Sequence, residues 1–460
     1  MALARTFALV LAVAILLAPA ARGQEPSPVV PDYRGDLATL RNRYIQESRA
    51  FTNETRKAAL DLVASLEARA GLLTPAEFLL GVARTTALAD NGHDGWYPEH
   101  GAWLPERRAP IRYFWFPDSL VVARAAAGLQ DLVGARVIAL DGHPVGEVFE
   151  RLRTFAGGPD NYRRWNLSIF LERAELLHAL GVAQSPDRYV LSLALRDGTT
   201  ATREIAMIPR AKAAPGTEPY RLLAGAPYGQ EAELGWRGVT EVPNDPLYLR
   251  DPDHLFRILE LPHLDAAYVQ FRSHYGTDEE PIERFLQEAA AKIVQMKAKN
   301  LVVDLRFDGG GDISRTTGFF DGLAARVPGR IYVIVSRLTF SAGIVAAALI
   351  EMSAPERVKI VGEPVGDRLR FWSEGHDVCL PSTRYCVHMR DGLWDLVKGC
   401  AQEPGCYGDQ FKARVPDLDP DIPAPLTARS WLDGTDLAMN AIEADAGGCE
   451  TCGSEPDRGK

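Results

Sequence analysis

The chain has 460 residues and a formal net charge of −10. An acidic balance of this size excludes nucleic acid and anionic membrane surfaces as main partners, since both need a basic face. At ~100–200 residues per domain the length allows two to four domains with ample core.

Met1 to Gly23 carries Arg5, an unbroken apolar run from Phe7 to Pro19, and small residues at Ala21 and Gly23 ahead of Gln24. That is a secretory signal with a cleavage site, and its apolar run is too short to span a bilayer comfortably. An uncleaved N-terminal anchor is the alternative. Removing residues 1–23 leaves 460 − 23 = 437 residues, and losing Arg5 and Arg22 takes the charge from −10 to −12. No later segment is long and apolar enough to cross a membrane, so the mature chain is expected to be soluble and secreted or periplasmic.

Residues 31–105 form the expected N-terminal helical segment. DLATLRNRYIQESRAF, TRKAALDLVASLEARA and TPAEFLLGVARTTALA place apolar residues three and four apart. Thr74 and Pro75 ahead of Glu77 make a good start for the third helix. The segment closes in the turn-rich ADNGHDGWYPEHGAW, with His93 and His100.

Residues 106–212 shift to strands with a helical insertion. IRYFWF and LVVARAA are rich in β-formers, GARVIALDGHPV is a strand ending in a glycine turn, and YVLSLALRDGTTATREIAMIP reads as a hairpin across Asp197 and Gly198. His143, in the DGHP turn, reads as a surface residue. A glycine- and proline-rich loop from Ala211 to Pro246 leads into the second half.

Residues 213–446 alternate strand and helix to about Gly362, which predicts an α/β core with a largely parallel sheet. LDAAYVQFRSHYG is a strand and EEPIERFLQEAAAKIVQMKAK an amphipathic helix. Next comes the stretch on which the chain is centred, Leu301 to Met352. LVVDLRF is a buried strand, and the DGGGD after it lets successive backbone N–H groups converge on one place, an anion cradle. IYVIV is a second buried strand, and Ser341 opens an alanine-rich helix whose positive end lies close to that cradle. An attacking hydroxyl beside donors for the oxyanion it generates is the arrangement acyl transfer needs.

All six cysteines lie in the last fifth of the chain, at 379, 386, 400, 406, 449 and 452. In an exported chain an even number favours disulfides, with Cys379 to Cys386 and Cys400 to Cys406 the simplest local pairs, although sequence does not fix the connectivity. The CxxC of Cys449 and Cys452 has no second pair or histidine cluster, so a tail disulfide is preferred to zinc. A hairpin is expected from Val378 to Met389 and a short helix around Asp436 to Ala444. Residues 447–460 read as a flexible tail.

DLRFDGGGD followed by TFSAG and VGEPVGD resembles the C-terminal-processing (tail-specific) serine peptidases and their tricorn-like relatives. The resemblance runs outward, since GARVIALDGHPV is similar to the PDZ-type domain of that family and DPDIPAPLTARSWLDGTDLAMNAI to its closing segment. It implies an α/β peptidase core of the ClpP/crotonase type, a PDZ-like β domain that takes a peptide as an extra strand, and the N-terminal helical segment. No metal or organic cofactor is implied.

A serine before a helix is ordinarily an N-cap. The resemblance of Thr339–Gly343 to the family's nucleophile motif makes Ser341 the expected nucleophile, with Ile344 where the family often has glutamate. The N–H groups of Gly310 or Gly311 and of Ala342 are the expected oxyanion donors. The lysine base of the processing peptidases has no counterpart, because Asp367 and Arg368 follow VGEPVG, arginine stays protonated and Lys359 lies on the wrong side of the motif. A histidine base fits better. His93 stands where the tricorn-like branch has its histidine, with Gly92 in place of a serine, and His376 is the competitor. The resemblance puts an orienting acid near the end of the core, where Asp395 is preferred over Asp391, Glu403 and Asp409.

The expectation is therefore an exported serine endopeptidase acting on peptides or unfolded protein through an acyl-enzyme. The first alternative is a catalytically silent peptide- or lipid-binding protein on the same scaffold. A polysaccharide- or lipid-active esterase using the same serine is the other.

Overall fold

A computed structural model describes residues 31–95, 105–209, 218–225, 229–239 and 245–447. The expected signal, His100, Cys449, Cys452 and nearly all of the expected tail lie outside these residues. Among the described residues no helix is long and apolar enough to cross a membrane.

Three helices open the described chain: α1 (Tyr33–Thr39), which runs on as a π-helical turn at Leu40–Ile45, α2 (Asn53–Ala68) and α3 (Pro75–Ala87). Thr74 accepts the Glu77 N–H while the Glu77 carboxylate takes the Thr74 N–H, the reciprocal cap expected there. Phe78, Leu79, Val82 and Ala83 of α3 are buried in the same core as Phe114, Val122 and Leu191 of the next sheet. The helical segment thus has no core of its own.

That sheet is antiparallel, in the order β1 (Ile111–Trp115), β2 (Leu120–Ala125), β3 (Arg136–Leu140), β4 (Arg188–Ala194) and β5 (Thr200–Ala206). The β4–β5 hairpin turns at Asp197 and Gly198 as the sequence predicts. Between β3 and β4 lie α4 (Val145–Leu152) and α5 (Asp160–Asn166). His143 is half-buried in the turn before α4, 4.0 Å from Glu147. The expected loop from Ala211 contains two helical turns, Pro219–Leu223 and Gln230–Glu233. Apolar Tyr220, Leu222 and Leu223 bury one of them in the shared core, which the glycine and proline content concealed.

The second sheet is the α/β core. Its strands are β6 (Phe256–Leu261), β7 (Ala266–Phe271), β8 (Asn300–Asp304), β9 (Ile331–Val335), β10 (Val358–Gly362) and the short β15 (Ile422–Pro423). All neighbours are parallel except β6 with β7. Alternate residues feed two separate cores, as pleating requires. Val269, Val303 and Val333 face α6 (Ile282–Met296) and α7 (Ala342–Ser353), while Tyr268, Val302 and Tyr332 face α8 (Leu437–Gly447). Helix α7 is apolar on every side and is buried from Ala342 to Ile350.

Beyond β10 come β11 (Arg370–Ser373), β12 (His376–Cys379), β13 (Cys386–Met389) and β14 (Gly392–Asp395), paired β11 with β14 and β12 with β13. A disulfide joins Cys379 and Cys386, which face each other across the expected hairpin. A second joins Cys400 and Cys406.

Candidate active site

The turn after β9 is stitched to the glycine loop by backbone and hydroxyl groups. Thr339 Oγ1 donates to the Leu305 carbonyl at 2.7 Å and the Phe340 N–H to the Asp308 carbonyl at 2.9 Å. Ser341 follows at φ +54°, ψ −123°, a left-handed conformation that a residue with a Cβ adopts only under strain. It sits at the N-cap of α7 and makes no cap hydrogen bond, so the ordinary structural role of a serine in that place is not the one it plays. Its side chain is half-buried.

Gly310 packs directly beneath it. A Cβ at Gly310 would lie 2.6 Å from Ser341 Cβ and 3.0 Å from the Ala342 nitrogen, at φ +102°. Only glycine fits. The Gly310 N–H donates to Asp308 Oδ1 at 3.0 Å, so this expected oxyanion donor is already engaged. The N–H groups of Gly311 and Ala342 have no hydrogen-bond acceptor among the described residues.

His93 is buried just beyond α3, and its ring is sandwiched between Phe340 at 4.2 Å and Phe371 at 5.0 Å. Tyr162 of α5 stacks on the far face of Phe340 at 4.3 Å. Nδ1 of His93 lies 3.3 Å from Asp367 Oδ2, and Nε2 is buried with no hydrogen-bond partner among the described residues. The segment is tied down on both sides: Asn91 exchanges hydrogen bonds with the Trp372 backbone at 2.8 and 3.0 Å, and Arg390 Nε donates to the His93 carbonyl at 3.1 Å. The neighbouring Asp94 accepts from Asn91, Tyr44 and the Arg390 N–H, yet burial outweighs these bonds and pushes its carboxyl up to about 7.

The carboxylate on His93 is therefore Asp367, which corrects the expectation of Asp395. Asp395, at the end of β14, spends its oxygens on Arg370 at 2.8 Å and on the N–H groups of Val397 and Lys398. Burial raises its pKa, but these bonds together leave it below the usual carboxylate value. Glu403 pairs with the same Arg370 and Asp409 with Arg414. The competing His376 is exposed on β12, Arg368 pairs with Asp90 at 2.8 Å, and Lys359 pairs with Asp421 at 3.4 Å. Asp367 closes the VGEPVGD motif, next to the place of the absent lysine. The signal that could have found it is Gly92: a Cβ there would come within 2.6 Å of Asp367 Oδ2, so the aspartate fills the room a serine side chain would need.

Asp367 also lines a cleft of about 860 Å³, together with Arg164 and Asn161 of α5, Arg337, Val365 and Leu418. The described residues include one group spaced to hold a metal ion, Cys400, Cys406 and Asp409, and both of its sulfurs are committed to the disulfide.

No family model matches the sequence, and no curated protein matches it. Among solved structures, mature CPAF complexed with lactacystin aligns over 91% of this chain and 98% of its own, with a TM-score of 0.58 and 12% identity. Mature CPAF alone aligns over 90% and 96%, with a TM-score of 0.57 and 11% identity. The photosystem II D1 C-terminal processing protease aligns over 91% and 98% at 12% identity, with a TM-score of 0.38. The likeness to mature CPAF, at this identity, is one of fold.

Proposed function

We propose that the chain is an exported serine peptidase of the tail-specific, tricorn-like kind, with Ser341 as nucleophile, His93 as general base and Asp367 as the carboxylate that orients it. One observation carries the reading: a strained, uncapped serine at a helix start adjoins a ring stacked on a carboxylate-bound imidazole. With Nδ1 turned to Asp367, Nε2 is the nitrogen left to take the serine proton. The two side chains do not hydrogen-bond as they stand, so they close on each other when substrate binds, as catalytic pairs do in going from the free enzyme to the substrate complex.

In the first step Ser341 Oγ attacks the peptide carbonyl carbon and its proton passes to His93 Nε2. The imidazolium is stabilised by Asp367, and the oxyanion by the N–H groups of Gly311 and Ala342. His93 then protonates the leaving amine, and water hydrolyses the acyl-enzyme by the same route. The sequence resemblance supports a peptide or unfolded protein as substrate, delivered past the PDZ-like residues 106–212. The two disulfides accord with a secreted or periplasmic location.

The test is labelling of the purified protein by a fluorophosphonate probe, with Ser341→Ala and His93→Ala alongside. Labelling of the wild type and its loss in both variants is the expected result. An unreactive wild type that retains a bound peptide or lipid would replace this reading with a binding protein. Labelling with hydrolysis of simple esters but no cleavage of an unfolded protein would replace it with an esterase.

A further inference from the structure

A second imidazole and carboxylate sit behind the glycine loop, outside the proposed triad. His274, three residues past β7, and Asp308, which opens the loop, both have side chains with 0% exposure, and His274 Nε2 lies 2.8 Å from Asp308 Oδ2. The two atoms are out of line for a hydrogen bond, so the contact is a close one between polar groups with no better partner. His274 Nδ1 is 2.7 Å from Thr316 Oγ1, whose own proton goes to the Ile313 carbonyl. Nδ1 is therefore the donor in that bond, and Nε2 is the nitrogen turned to the acid.

What this pair holds is the loop. Asp308 Oδ1 accepts the Gly310 N–H at 3.0 Å, the Gly310 carbonyl accepts the His274 N–H at 2.7 Å, and the Asp308 carbonyl accepts the Phe340 N–H. Gly343 is pressed against the same residue, a Cβ there lying 2.6 Å from the Asp308 carbonyl oxygen. Asp308 thus touches the glycine loop, the nucleophile turn and α7 at once. Both sides of the Gly310 peptide are fixed, which turns its N–H inward and leaves the Gly311 N–H without an acceptor.

Resting on the peptidase reading, we infer that His274 and Asp308 are positioning residues for the oxyanion loop. Asp308 clamps the Gly310 N–H, His274 confines the Asp308 carboxyl by close contact, and the Gly311 N–H is thereby aimed, with that of Ala342, at the acyl oxygen. Neither residue reaches the substrate. A carboxylate is not essential to this role, since the amide of an asparagine can accept the Gly310 N–H through its oxygen while its nitrogen takes the place of Oδ2 against His274.

The experiment compares Asp308→Asn with Asp308→Ala in the full chain, by kcat and KM on a peptide substrate and by hydrogen–deuterium exchange of residues 306–316. Asp308→Ala should lower kcat about 10²-fold, the cost of a misplaced oxyanion donor, with KM within roughly threefold and faster exchange in the loop. Asp308→Asn should restore both. The clamp is overturned if Asp308→Ala exchanges like the wild type, or if it loses kcat and Asp308→Asn loses as much. Exchange is read whether or not the protein is active, so a wild type inert to the fluorophosphonate probe would sink the peptidase while leaving the clamp to stand or fall by exchange.

Discussion

Two histidine–aspartate pairs flank the turn that carries Ser341, and they are built differently. In His93–Asp367 the contact is 3.3 Å, one ring nitrogen is left without a partner, and aromatic faces cover the ring. In His274–Asp308 the contact is 2.8 Å and exposure is nil; Nδ1 is engaged by Thr316, and Nε2, although it too makes no hydrogen bond, is faced by the Asp308 carboxyl. A general base must offer a lone pair toward the reacting atoms. In the proposed mechanism His93 Nε2 has that task, whereas His274 Nε2 is turned to the Asp308 carboxyl. Geometry, not residue type, separates the two proposed roles.

The comparison breaks most sharply at Asp367. Asp367→Ala leaves His93 held by stacking alone, and the loss of turnover should approach, without exceeding, the ~10⁴ typical of the acid in such triads. Gly92→Ser offers a way to sharpen the result. Alone it should impair activity, because its Cβ lies 2.6 Å from Asp367 Oδ2; placed on Asp367→Ala it should recover part of the lost kcat by presenting a hydroxyl where the carboxylate stood. Steady-state kinetics on the two single variants and the double variant decide it. If Asp367→Ala keeps wild-type turnover, some other group orients the base.

The strands and turn around Ser341 were legible in the sequence, the surroundings of His93 only in part. LVVDLRF, DGGGD, IYVIV and TFSAG report strand, turn, strand and helix start through local chemistry, and the fold places them as read. His93 was reachable because it ends a helical segment. Its acid was not, since the contact spans 274 positions and depends on two rings and a glycine that leave room for it. Asp395 was preferred for its place in the chain, and place in the chain says nothing of Arg370, which occupies that carboxylate. The same holds for His274: FRSHYG has no local pattern, and only the packing of the segment after β7 against the glycine loop gives its histidine a partner.

A smaller effect is expected at the aromatic sandwich. Phe371 is buried, stacking on His93 at 5.0 Å and on Trp394 at 5.9 Å. Phe371→Leu keeps the apolar volume roughly and removes one ring face, a loss of about 1 kcal/mol in positioning, hence about fivefold in kcat. KM should change little. An equal loss in KM would mean that the ring meets substrate rather than the imidazole.

The last and smallest effect concerns Asp94, beside His93. Its folded pKa of about 7 against an ordinary 3.8 means that the native chain holds a proton the unfolded chain has released between those values. The stability this gives is fully present below the unfolded value and is lost as pH rises through the folded one. The tie bears on the pair comparison, because Arg390 bonds both the Asp94 carboxyl and the His93 carbonyl. A charge appearing on Asp94 near pH 7 is therefore felt in the loop that carries His93. Thermal unfolding from pH 5 to 8 should show Tm falling toward pH 7 in the wild type. In Asp94→Asn the absolute Tm can drop, since the new amide faces the Asn91 amide, but the part of the slope due to this carboxyl should vanish. A slope unchanged by the substitution would place the titrating group elsewhere.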